Sequence, residues 1–245
     1  MYTKKTYRNQ VRKNNLVSFH VVVKETDLFV QAEKVLENRT RDLVLRYRGY
    51  IENYIKRYPE FAETLVPWLI TSPAPDIIRK MADASKIAGV GPMAAVAGAI
   101  AEQVGMDLLK RTGEVIVENG GDVFLKTDDS VTIGIFAGKS PLCLHIGLRL
   151  PPLKRPISVC TSSGTVGHSL SLGKADAVCV VSESCCLADA AATSIGNRVK
   201  SKKDIHGAIE FGKRIEGLDG IVIIVDEDLG AWGELELVPI YGKNG

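Results

Sequence analysis

The run Thr161–Asn197, TSSGTVGHSLSLGKADAVCVVSESCCLADAAATSIGN, decides how the chain is read. It opens with a hydroxyl- and glycine-rich turn holding one histidine, His168. Ala177–Ser182 follows with the apolar, β-branched composition of a strand. The run closes on Leu187–Ile195, a small-residue helix carrying one acid, Asp189. A polar turn, an apolar strand and a helix in succession fit an α+β fold, and the residue types are those of a ligand site.

Asp189 and Thr193 stand four apart, so a helix presents their carboxylate and hydroxyl on one face, a turn apart. Together they make half a site for a hard cation such as Mg2+. The plainer alternative is an acid that complements the helix dipole. Spacing alone favours that alternative, and the flanking Ala188, Ala190, Ala191 and Ala192 shift the balance toward a ligand by leaving the pair unobstructed. Upstream, Thr161, Ser162, Ser163, Gly164 and Thr165 offer hydroxyls and backbone amides of the kind that cradle a phosphate. His168 has the chemistry of a general base or a phosphate contact; its plainer role is a turn histidine donating to a carbonyl.

Working outward, Glu118–Asp122 reads as a turn between strands at Val115–Val117 and Val123–Lys126, with Asn119, Gly120, Gly121 and Asp122 as its polar and glycine anchors. Farther back, Gly89 and Gly91 form a turn, Pro92 suits a first helical position, and Met93–Val104 forms a helix almost bare of side chains. Tight packing accounts for its alanines; the glycines leave N–H groups at a helix start, where anions bind. Strands are expected at 16–23, Asp27–Ala32, Val131–Ala137, Cys143–Leu150, Ile157–Cys160, Gly220–Val225 and Glu234–Ile240. Helices are expected at Glu33–Tyr58, after a cap at Asp76, and at Lys203–Arg214. The segment from Pro59 to Pro75 reads as a proline-punctuated connection. With no internal repeat and no linker, one domain over 1–245 is the economical reading.

Composition excludes several classes. Hydrophobic residues make up 45% and charged residues 24% of 245, as in ordinary soluble proteins. A net charge of +2 gives no reason to expect nucleic acid or a membrane surface as partner. No apolar run approaches a membrane span, and the basic N-terminus lacks the apolar segment of a signal peptide, so a cytoplasmic location is expected. Five cysteines without CxxC spacing argue against a disulfide framework and a zinc ribbon. There is no G-x-S-x-G elbow, full dinucleotide fingerprint or Walker loop.

Five stretches together carry a resemblance: ETDL from Glu25, GVGPMAAVAGAIAE from Gly89, VENGGD from Val117, TSSGTVGHSLSLGKADA from Thr161 and LADAAAT from Leu187. They resemble the ApbE-like superfamily, best known for magnesium-dependent FAD:protein FMN transferases, and most closely a short branch found in archaea and anaerobic bacteria. The resemblance implies a single domain with a mixed, mainly antiparallel sheet and packed helices. It implies Mg2+ at Asp189 and Thr193, and FAD or a related flavin or nucleotide near Gly89, Gly91, Asn119, Gly120, Gly121, Asp122 and the Thr161–Thr165 segment. His168 stands where the transferases carry a histidine before Asp-Pro-x-Thr-Gly; here Ser169-Leu170-Ser171-Leu172-Gly173-Lys174 follows instead. The implied activity is an Mg2+-assisted reaction of a small phosphorylated ligand, FMN transfer among them. The alternatives are a non-transferase role in anaerobic sulfur assimilation and homocysteine formation, or ligand binding without catalysis. Small-residue helices also suit a homodimer interface.

Overall fold

The apolar runs Ala177–Ser182 and Gly220–Val225 are buried at every position. Uninterrupted apolar strands need cover on both faces, and the computed structural model, which describes residues 15–164 and 172–240, supplies it. The strands are β1 (Val17–Val23), β2 (Thr26–Ala32), β3 (Val115–Asn119), β4 (Asp122–Lys126), β5 (Val131–Gly134) and β6 (Ile146–Leu150). They continue with β7 (Ile157–Ser162), β8 (Ala177–Ser182), β9 (Gly220–Val225), β10 (Asp228–Gly233) and β11 (Glu236–Pro239). The helices are α1 (Glu37–Arg57), α2 (Glu60–Glu63), α3 (Asp76–Ala88), α4 (Val96–Leu108), α5 (Cys185–Gly196) and α6 (Ile205–Gly212), with short 3-10 turns at Pro92–Ala95 and Lys202–Asp204.

Eight strands form one sheet in the order β1-β2-β3-β4-β7-β8-β9-β10, and β11-β6-β5 form a second. Every pairing among the described residues is antiparallel. The helices cover one face of the large sheet and the small sheet covers the other, which gives an α+β fold of three layers. The core divides accordingly. Val178, Val180, Ile221 and Ile223 pack toward the helices, while Ala177, Cys179, Val181, Val222 and Ile224 pack toward the small sheet with Leu148 and Ile133. At the edge, β1 alternates exposed and buried residues because only one of its faces is covered.

Small residues let the helices sit close. A Cβ on Gly105 of α4 would fall 2.2 Å from the Phe124 ring on β4, and one on Gly98 would fall 2.4 Å from the Cys185 carbonyl oxygen on α5. Ala99, Ala101, Ala188, Ala190 and Ala191 are likewise fully buried, so these small surfaces are used inside the fold.

Several expected boundaries move. The helix expected from Glu33 begins at Glu37, and the connection after Pro59 contains α2. Asp76 is the first residue of α3 rather than its cap; its carboxylate pairs with Arg79 and Lys80, while Pro75 holds the cap position without a side-chain bond. The turn expected over Glu118–Asp122 shortens to Gly120-Gly121, because Asn119 and Asp122 belong to the ladder. The strand expected to end at Cys160 continues through Ser162. β10 is unannounced in the sequence: DLGAWG is glycine-rich and largely exposed, yet pairs along its length with β9. Among the described residues, no single helix is long and apolar enough to cross a membrane.

Candidate functional site

Side-chain alternation on the strands sorts the site. On β3, Val115 and Val117 face the helices, so Asn119 shares that face; on β4, Phe124 does, so Asp122 does as well. Asn119 pairs with Asp122, and Asp122 with Cys160 of β7, whose buried side chain is also on the helix side. Three neighbouring strands therefore present an amide, a carboxyl and a thiol beneath α4 and α5.

From above comes Asp189 of α5. Its Oδ2 accepts the Gly98 N–H at 2.8 Å, at the start of α4. Asn119 Nδ2 donates to the Ala97 carbonyl at 3.0 Å, which ties the glycine turn to the same helix start. The arrangement is reciprocal. Glu102 of α4 accepts from the Cys185 and Cys186 N–H groups at 2.8 and 3.3 Å, at the start of α5, and its other oxygen takes Lys80 Nζ at 2.8 Å. Each helix thus satisfies orphan donors of the other, across a contact made narrow by Gly98.

Burial pushes the Asp122 carboxyl up to about 7; the charge of Glu118 adds to the rise, and a hydrogen bond from the Cys160 thiol opposes it. Asp189 keeps part of its surface open to solvent, yet it is enclosed enough that burial lifts it well above the usual carboxylate range. The charge of Asp122 adds to that lift, and the Gly98 and Ala97 N–H groups pull against it. Two enclosed carboxyls that repel each other resist ionising together unless a cation joins them.

A cation fits these residues under one condition. Among the described residues no group of three or more His, Cys, Asp or Glu side chains converges. Further ligands would then be hydroxyl, carbonyl, ligand-phosphate or water oxygens. That donor set suits Mg2+, which keeps several waters, and does not suit structural zinc.

The sequence-selected residues distribute unevenly. Asp189, Asn119, Gly120, Gly121 and Asp122 come together. Thr193 lies one turn along α5 from Asp189 and is half-buried. Gly121 has a backbone reason to be glycine, since a Cβ there would meet the Thr161 carbonyl oxygen at 2.5 Å. Gly89 (φ 71°) terminates α3 in the left-handed region, and Gly91 packs against the Thr64 carbonyl, where a Cβ would come within 1.9 Å. The roles visible for these two are helix stop and close packing.

The expected phosphate cradle is corrected in part. Thr161 and Ser162 are strand residues; the Thr161 N–H donates to the Gly121 carbonyl and the Gly164 N–H to the Ala175 carbonyl, each at 2.9 Å. Those amides are already used by strand pairing. Alternation turns Thr161 toward the small sheet, where its hydroxyl meets Cys179, and Ser162 toward the helices. Ser163 follows directly after β7, half-buried. Thr165 and His168 lie outside the described residues. Glu102 and Lys80 were missed. Only Glu102 left a signal, as a lone acid in the apolar stretch AIAEQVG.

A sequence profile of the family described as AbpE bacteria matches residues 8–235. A UPF0280 protein of Methanococcus aeolicus is 43% identical over 203 residues, covering 81% of this chain and 82% of the relative. A UPF0280 protein of Methanocella arvoryzae is 40% identical over 215 residues, 87% of each. Among solved structures, the apo flavinyl transferase ApbE of Pseudomonas stutzeri superposes with a TM-score of 0.57 at 13% identity, covering 89% of this chain and 94% of that one. A point mutant of the flavin transferase ApbE from Vibrio cholerae gives 0.54 at 12% identity, with 89% and 96% covered. At such identities the solved structures speak to the fold. The profile and the archaeal relatives speak to the family: this chain belongs to the ApbE-like family described as AbpE bacteria, together with the UPF0280 proteins.

Proposed function

We propose that the chain binds a divalent cation of the Mg2+ type at Asp122 and Asp189, and with it a small phosphorylated ligand of the flavin or nucleotide kind, as an FMN-transferase-like enzyme. One observation carries the reading: two carboxyls from separate elements, β4 and α5, are enclosed together and both pushed upward. An uncompensated carboxyl pair in such a place costs stability, and sites of this kind cluster at functional positions. Thr193 supplies a hydroxyl ligand one turn from Asp189, and Asn119 holds the Gly120-Gly121 turn against α4, so a ligand can approach bare backbone there. When bound, the cation would supply charge neutralisation and polarisation of a phosphoryl oxygen. The chain's own work is to hold both carboxylates, orient the ligand on the turn and accept a proton; His168 is the residue assigned to that last step. The fold shared with two flavin transferases supports flavin as the first ligand to try.

Fluorescence titration of FAD with and without Mg2+ tests the proposal. Binding is expected only with Mg2+, weakened roughly tenfold or more in Asp189→Asn, with adenylate released when a threonine-containing acceptor peptide is added. Failure of FAD to bind at high concentration with Mg2+ present would overturn the flavin reading.

A further inference from the structure

Beneath the carboxyl pair lies chemistry that the proposed function does not use. Cys160 on β7 and Cys185 in the first turn of α5 are both fully buried, and their sulfurs are 3.5 Å apart. The Cys160 thiol also lies 3.6 Å from the Cys185 carbonyl and hydrogen-bonds to Asp122. Beside them, Ser158 of β7 is fully buried, and its Oγ makes no regular hydrogen bond although it neighbours the Cys185 thiol. Within this enclosed cluster it is the Ser158 hydroxyl that lacks a regular partner, while the two thiols lie against each other and against Asp122.

We propose that Cys160 and Cys185 are a dithiol that closes to a disulfide and, by closing, weakens cation binding at Asp122. The consequence for the cation rests on the proposed function; the dithiol itself does not. Closure brings the sulfurs from 3.5 Å to about 2.05 Å. The oxidant is a small disulfide: its own S–S bond and the two protein S–H bonds break, one protein S–S bond forms, and two electrons and two protons leave on the reagent as two small thiols. Closure removes the S–H that donates to Asp122. It also pins β7 to the turn of α5 that precedes Asp189. Both sulfurs are fully buried, so exchange with the reagent is slow and requires local opening.

The experiment uses the whole chain. Reduced protein is incubated with hydroxyethyl disulfide, remaining thiols are alkylated after unfolding, and the digest is mapped by mass; Mn2+ affinity is measured before and after by electron paramagnetic resonance. The expected result is a Cys160–Cys185 cross-link with loss of two hydrogens, retained in Cys179→Ser and Cys186→Ser, and Mn2+ binding several-fold weaker until dithiothreitol restores it. Because the cross-link is read on unaltered protein, a variant that fails to fold does not affect the outcome. Mixed disulfide confined to half-buried Cys143, with Cys160 and Cys185 still alkylated, would overturn the proposal. So would a complete cross-link with unchanged Mn2+ affinity. If reduced protein binds no Mn2+, the proposed function fails and the cross-link alone decides the dithiol.

Discussion

Asp122 sits where the sequence suggested a turn anchor and the ladder makes it a buried acid, 7% exposed. Its carboxyl is raised from 3.8 to about 7, so between those values the native chain holds a proton that the unfolded chain has lost. Stability therefore falls as pH rises through that window, by at most about 1.4 kcal/mol per unit, and the loss is complete above it. Chemical denaturation of the cation-free protein from pH 4 to 8 should show this decline, and Asp122→Asn should make it shallower, leaving the part that burial of Asp189 contributes. A second residue-scale outcome concerns Gly98. Adding a methyl there drives Cβ against the Cys185 carbonyl, so Gly98→Ala should cost about 1–3 kcal/mol in the same assay. That Asp189 and Thr193 lie one turn apart on a helix was legible because helical spacing is a fixed geometry. The cradle read from Thr161 to Thr165 was less so: hydroxyls can be counted in a sequence, but whether Thr161 and Gly164 spend their N–H groups on Gly121 and Ala175 depends on pairing.

At the scale of elements, α4 and α5 hold each other's first turns through Asp189 and Glu102. Glu102→Ala leaves two α5 donors and Lys80 without this partner, and should lower stability by about 1–2 kcal/mol. Glu102→Gln, whose carbonyl oxygen can still accept from both backbone N–H groups, should recover part of the loss; equal losses in both variants would mean that the Lys80 ion pair carries the effect. Helices here were largely readable, because Ile77, Ile78, Met81 and Ala84 repeat at helical spacing and are buried as that repeat requires. β10 was not. Its sequence lacks alternation, and the left-handed Asp226 at φ 54° that turns the chain back from β9 is a conformation no composition announces.

For the whole molecule, the unbroken apolar runs of β8 and β9 are those of strands covered on both faces, and the antiparallel ApbE-like arrangement followed from family motifs. What covers the second face did not follow. The small sheet joins β5 and β6 to β11 from the far end of the chain, a pairing set by long-range packing on Val181, Val222 and Ile224. That layer lies across the large sheet from Asp122 and Asp189. Leu148→Ala, at a fully buried position in it, should therefore cost about 2–5 kcal/mol while leaving cation affinity unchanged below the melting transition.

The proposed cation seat at the carboxyl pair is read most directly by titration of Mn2+ into the reduced, cation-free chain at pH 8. Such a seat predicts one bound ion per chain, competed by Mg2+, with affinity falling as pH drops below about 7 and lost in both Asp122→Asn and Asp189→Asn. Equal Mn2+ affinity in wild type and the two variants would contradict it.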